Sequence, residues 1–340
     1  MKIDLYTQAG WINVPAIAAR PTWLKVLIGP RQVGKTYGTL KYHLDEQIPF
    51  ILMRRTTEEL KFIANNSELD PFVKFSPEYH TMIKGAGGSY IICDYDTDGA
   101  VIPGTERGVA LSLPLISHIR GFDGSRFESV ILDEAIPEKG VRVLNSEGDS
   151  LLNAYTTISG NRELEGKPPL TLWLLANTNN INSPILEALN LTDEVIRMRA
   201  KGLEYTEIDG VSIFQGKSEV ITDKRKQTVL ARRVKSTGNF AQMAYNNEWA
   251  YDESPVIRSR SLKGMTPLCA YDELYFWEDA SGIYCCASKH KTDYYNDNDF
   301  ERAQFTANYR WLLRWYAEGL VNFANIRQLA VFKRLFGIDY

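Results

Sequence analysis

Apolar runs recur through the first half of the chain, and most end in charge or glycine. Residues 23–29 (WLKVLIG), 49–55 (PFILMRR), 127–132 (FESVIL) and 170–176 (LTLWLLA) are of this kind. The last is so apolar that both its faces must be covered, which predicts a central strand of a parallel sheet. Residues 89–95 (SYIICDY) and 108–115 (GVALSLPL) predict further strands. Helical patterning fills the intervals Lys35 to about Gln47, Thr56 to Asn65, and 149–159. Strands alternating with helices predict an α/β sheet with helices on both faces.

The pattern changes after about residue 205. Residues 224–235 (KRKQTVLARRVK) hold six basic residues and no acidic one. Beyond about 250 come LCAY, a turn at Asp272-Glu273, LYFWED, a turn at Ala280-Ser281-Gly282, and IYCCAS. Short strands with tight turns predict an antiparallel meander. The acidic cluster 292–301 (TDYYNDNDFE) reads as a surface loop, and Phe300 to Phe336 reads as helical and aromatic-rich. The expected organisation is a first domain over 1–205, a linker over 206–248, and a small α+β domain over 249–340.

Composition adds limits. The chain has 340 residues, 44% hydrophobic and 24% charged, with a net charge of −3, so any contact with nucleic acid must come from local basic patches. Cys93, Cys269, Cys285 and Cys286 lack metal-ligand spacing and read as reduced packing thiols. The N-terminus lacks the apolar core of a signal peptide, and no apolar run approaches a membrane span, so a soluble cytoplasmic protein is expected.

The chemistry concentrates at the strand ends. Gly29-Pro30-Arg31-Gln32-Val33-Gly34-Lys35-Thr36 matches G-x-x-x-x-G-K-[ST] at every fixed position. The two glycines let successive N–H groups face a phosphate, and the following helix aims its positive end at the same anion. Lys35 is expected to reach the β- and γ-phosphates of ATP, and Thr36 to ligate Mg²⁺. Tyr37 completes the expected nucleotide-binding set. Asp133-Glu134 closes the strand VIL: Asp133 would hold Mg²⁺ through water and Glu134 would polarise the attacking water. Asn177, ending LTLWLLA, is placed to sense the γ-phosphate. Arg162 and Arg120 are candidates for a cation acting on a neighbour's ATP, and Arg54 and Arg55 for reaching the phosphates or a subunit edge.

VLIGPRQVGKT, ILMRRTTEEL, SVILDEAIPEKG, SGNRE and LLANTNN, in that order, resemble the φ29-like phage DNA-packaging ATPases, a branch of the FtsK/HerA-type ring motors. The resemblance covers roughly the first 200 residues well. It implies a P-loop NTPase core of ASCE type and a C-terminal domain of RNase H-like fold that binds nucleic acid without cutting it. It implies a ring, a pentamer, at the portal of a procapsid, a scaffold RNA, double-stranded viral DNA as the cargo, and the host cytoplasm as the location. Some relatives carry a lysine where this chain has Thr56-Thr57, so no trans-acting role is carried over there.

Three competing readings remain: a cellular FtsK/HerA-type DNA translocase, a terminase with an active nuclease, and a nucleotide-gated switch. A nuclease needs carboxylates inside its strands to hold two metal ions. LCAY and IYCCAS carry none, and the acids of LYFWED fall at its end.

Overall fold

The computed structural model describes residues 3–64, 70–75, 81–98, 100–116, 123–136, 146–178, 183–216, 218–233, 256 and 260–338. The chain divides into two compact units, Met1–Ala250 and Tyr251–Tyr340.

The first unit opens with α1 (Val14–Ala18), β1 (Leu24–Ile28), α2 (Lys35–Asp45), β2 (Phe50–Arg54) and α3 (Thr57–Ala64). It continues through β3 (Thr81–Lys84), β4 (Tyr90–Cys93), β5 (Gly108–Ser112), α4 (Leu113–Ile116), β6 (Ser129–Asp133), α5 (Glu147–Ser159) and β7 (Thr171–Ala176). Then come α6 (Pro184–Ala188), α7 (Thr192–Lys201), β8 (Tyr205–Ile208), β9 (Val211–Gln215), α8 (Glu219–Lys226) and α9 (Val229–Arg233). The strands form one nine-stranded sheet in the order β3-β4-β5-β2-β6-β7-β1-β9-β8. Strands β5, β2, β6, β7, β1 and β9 run parallel, with antiparallel strands at both edges. The runs LKVLI, FILMR and SVILD are buried along their whole length, as a doubly covered sheet requires. Helix α2 packs Leu40 and Leu44 into the same core as Leu27, Phe50, Ile131 and Trp173.

Register sets the working edge. Ile28 pairs with Ala176, and Leu175 with Asp133. Met53 pairs with Leu132, so Arg54 ends β2 beside Asp133. Gly29, Arg54, Asp133 and Asn177 therefore emerge at one C-terminal edge. Strand β7 lies between the strand that leads into the phosphate loop and the strand that ends in Asp133.

The sheet runs on past the expected boundary at 205. Residues 205–215, which fall at the start of the expected linker, form the β8–β9 hairpin, and β9 pairs with β1 along its length. The turn is Asp209-Gly210, with φ of 47° and 77°. Two successive positive φ values are what a tight hairpin turn needs and what Asp-Gly supplies.

The second unit holds β10 (Thr266–Tyr271), β11 (Leu274–Asp279), β12 (Gly282–Cys286), β13 (Tyr294–Tyr295), α10 (Asp299–Asn308), α11 (Trp311–Ala317), β14 (Val321–Phe323) and α12 (Ile326–Leu335). Its five-stranded sheet has the order β13-β10-β11-β12-β14. The meander β10-β11-β12 follows the sequence expectation. Two details differ. The 292–301 segment is not a plain loop: β13 pairs with β10, and α10 begins at Asp299, capped by Asn298. The helical end is interrupted by β14, which pairs with β12, because Val321 and Phe323 alternate inward into the aromatic core.

Cys93, Cys269, Cys285 and Cys286 are free and buried. Among the described residues, no helix is long and apolar enough to cross a membrane.

Candidate active site

The loop between β1 and α2 alternates its backbone hand, with Gln32 at φ 61° and Gly34 at φ 94°. Gly34 suits that conformation because it has no Cβ to clash. Val33 is buried in the core and pegs the loop to the fold. Lys35 is buried, and its ammonium donates to Gly29 O at 2.9 Å, Pro30 O at 2.7 Å and Asn177 Oδ1 at 2.9 Å. All three of its N–H groups are thus occupied. Burial pulls its pKa down to about 7, opposed by the nearby Asp133 charge. An arriving phosphate would restore the partner charge that burial has removed.

Thr36 Oγ1 donates to Asp133 Oδ1 at 2.9 Å. The hydroxyl and carboxylate are hard oxygen donors, side by side at the phosphate loop, and fit Mg²⁺. Arg54 closes the other side of the carboxylate: its Nη2 lies 3.0 Å from Asp133 Oδ2, with both side chains nearly buried. Its Nη1 lies 3.6 Å from Glu134 Oε2. Glu134 leaves the strand with φ at 57° and keeps its side chain about half exposed. Arg31, Gln32, Tyr37 and Asn177 join Lys35, Thr36 and this acidic pair in lining a cleft of about 300 Å³.

Arg55 does not face the cleft. It is buried and makes a two-pronged pair with Glu147 at 3.0 and 2.8 Å. The paired arginines therefore point to different partners, as neighbours at the end of a strand do.

Arg162 lies in the turns after α5, where its Nη1 donates to Phe127 O at 2.8 Å. Phe127 precedes β6 and Asp133 ends it, so the two ends are roughly 20 Å apart at about 3.3 Å per residue. Arg162 is thus kept away from the phosphate loop of its own chain. Arg120 lies outside the described residues.

Sequence reasoning missed Arg225. It belongs to the basic stretch 224–235, sits on α8 and donates from Nη1 to Arg31 O at 2.7 Å. No local pattern marks it, since only the packing of α8 brings it to the loop.

The model of the podovirus DNA encapsidation protein (Gp16) family matches residues 10–284. The chain belongs to that family. Among curated proteins, none matches it. Two solved structures share its fold across nearly the whole length. One is the bacteriophage phi-29 viral genome packaging motor assembly, 19% identical, with TM-score 0.63, covering 98% of this chain and 100% of that chain. The other is the phi-28 gp11 DNA packaging motor, 16% identical, with TM-score 0.59, covering 96% and 98%. This encapsidation protein is thus a phage DNA-packaging protein, and the phosphate loop, Asp133-Glu134 and Asn177 all lie within the matched residues.

Proposed function

We propose that this encapsidation protein is the ATPase of the packaging motor, hydrolysing Mg²⁺-ATP to drive double-stranded viral DNA into the procapsid. The observation that carries the proposal is the meeting of Lys35, Thr36, Asp133 and Asn177 within hydrogen-bond distance at the ends of adjacent parallel strands. The placement of β7 between β1 and β6 supports the ASCE assignment.

ATP lays its β- and γ-phosphates on the N–H groups of the loop and the positive end of α2. Lys35 exchanges carbonyl partners for phosphate oxygens. Thr36 and Asp133 would hold Mg²⁺, which would supply charge neutralisation for the phosphates. Glu134 orients and polarises a water for in-line attack on the γ-phosphorus. Asn177, freed from Lys35, reads whether the γ-phosphate is still present. Arg54 holds both carboxylates before the nucleotide arrives, which restrains Glu134 until they are released.

In this reading the subunits form a ring, a pentamer on the portal. Arg162 then acts in trans, and the basic stretch Lys224 to Lys235 meets DNA or a scaffold RNA through phosphates. Of that stretch, Arg225 is reassigned to the phosphate loop. The meander of the second unit and the helices after it support an RNase H-like reading. A working nuclease is not expected there, because several of its described carboxylates are tied to neighbours. Asp279 is paired with Arg260 and Glu273 with Arg327. Asp297 is paired with Arg302, and Glu301 with Asn296 and Asn298. The host cytoplasm is the expected location.

Glu134→Gln tests the site. The amide keeps the shape but cannot polarise water, so ATP binding should persist while turnover falls by about a hundredfold or more. Loss of ATP binding in that variant would make Glu134 a structural residue.

A further inference from the structure

The cleft explains how a triphosphate is held but not how a base is recognised. Tyr37 is the one aromatic side chain among the residues lining it, and its ring is already stacked on Phe75 at 4.8 Å and 25°. A second aromatic ring stands just outside. Trp11 is 46% exposed, although the backbone around it is firmly held. Thr7 N donates to Trp11 O at 2.8 Å, and Trp11 N to Thr7 Oγ1 at 3.1 Å. Asn13 N reaches Leu5 O, and Ile12 N reaches Val33 O of the phosphate loop at 3.1 Å. Buried Ile12 and Val14 flank this turn and anchor it to the core.

The ring lies against the loop itself. A methyl group placed on Gly34 would meet Trp11 Cε3 at 3.5 Å. On the other side, the turn at Gly10 packs on α8, where a methyl on Gly10 would meet Val220 Cβ at 2.8 Å. Val220 is itself 47% exposed. The same helix returns to the loop through Arg225 and the Arg31 carbonyl. A half-exposed indole, on a turn held by backbone hydrogen bonds, is therefore bordered by the phosphate loop, and its turn packs on α8.

We propose that Trp11 is the stacking platform for the adenine ring of ATP, with Val220 of α8 as the apolar flank. This rests on the phosphate-loop reading above. An exposed aromatic face held by backbone hydrogen bonds costs little entropy to use, and a purine stacks on it through its π-face. Hydrolysis is left to the cleft, and Trp11 acts on nucleotide affinity alone.

The test compares Mg²⁺-ATP with inorganic tripolyphosphate, which has the phosphates and no base. Binding of both to the full chain is measured by calorimetry for the wild type, Trp11→Ala, Trp11→Phe, Tyr37→Ala and Lys35→Ala. Trp11→Ala should weaken ATP roughly tenfold or more while leaving tripolyphosphate unchanged. Trp11→Phe should retain most of the ATP affinity. Equal weakening of both ligands by Trp11→Ala would overturn the proposal, since the ring would then only shape the loop. Unchanged ATP affinity would overturn it too, pointing to Trp11 as a contact for a neighbouring subunit or DNA. So would an ATP-selective loss in Tyr37→Ala alone. Lys35→Ala separates the two layers: if it loses neither ligand, the phosphate-loop reading itself fails.

Discussion

In the first unit Lys25, Lys35, Arg54, Arg55, Asp70, Asp94, Asp133 and Glu147 are all buried. Among its described residues, the second unit buries Gln328 and otherwise apolar, aromatic or thiol side chains. Buried charge is costly unless paired, so its concentration marks where structure or chemistry demands it. Two groups emerge in the first unit. Lys35 and Asp133 line the cleft, with Arg54 paired to Asp133, whereas Arg55 and Glu147 are paired with each other outside its lining. The second unit is built on rings: Phe332 packs with Phe336 at 4.8 Å and Phe323 at 5.1 Å, and Phe305 with Tyr309 at 4.9 Å. Such a core supplies shape and stability.

Arg162 is the residue that could break this contrast, because it is assigned to chemistry yet lies at the far end of β6. Arg162→Ala should leave ATP binding intact and lower turnover by about a thousandfold, the scale of a lost arginine finger. Mixed with Glu134→Gln subunits, it should regain activity, since one variant then supplies the finger and the other the carboxylate. Unchanged turnover in Arg162→Ala, or no recovery in mixed rings, would confine the chemistry to the cleft of a single chain.

The paired charges sharpen the contrast next. Arg55→Ala leaves Glu147 buried without its partner and should cost about 3–5 kcal/mol in denaturant unfolding of the first unit. Replacing both, Arg55→Met with Glu147→Leu, should recover most of that loss. A small effect of the single change would show that solvent reaches Glu147.

The smallest effect expected is in pH. His43 lies between Phe50 and Trp173 and donates from Nδ1 to Thr39 O at 2.7 Å. Burial pushes its pKa down to about 4. Between about pH 6.5 and 4 the unfolded chain therefore takes up a proton that the folded chain refuses, and stability falls as pH falls. The loss should be on the order of 3 kcal/mol at most. His43→Phe should flatten that part of the profile. His290 of the second unit is more open, so His290→Gln should alter the profile less. An equal change for both would erase the distinction.

Much of this was legible from the residues, and the failures have physical causes. The strands at 24–28, 50–54, 129–133 and 171–176 announce themselves because largely apolar runs end in the loop, arginine, acid and amide that form the site. The order of those strands is not written locally: that β7 separates β1 from β6 is decided by packing. The β8–β9 hairpin was missed although Asp209-Gly210 signals it, because its outer strand is polar. Strand β14, at three residues, is too short to interrupt a helical period. Arg225 could not be told from its basic neighbours, since charge pattern does not say which arginine a helix turns toward the loop.

The central claim is that bond-breaking belongs to the strand ends of the first unit and that the second unit cuts nothing. One reaction tests it: purified protein with ATP, Mg²⁺, Mn²⁺ and plasmid DNA, followed for phosphate release and DNA integrity together. Phosphate should be released, Lys35→Ala should abolish that release, and the plasmid should stay intact throughout. Phosphate release that survives Lys35→Ala would contradict the account, and so would plasmid cleavage that disappears when Asp272 or Glu273 is changed.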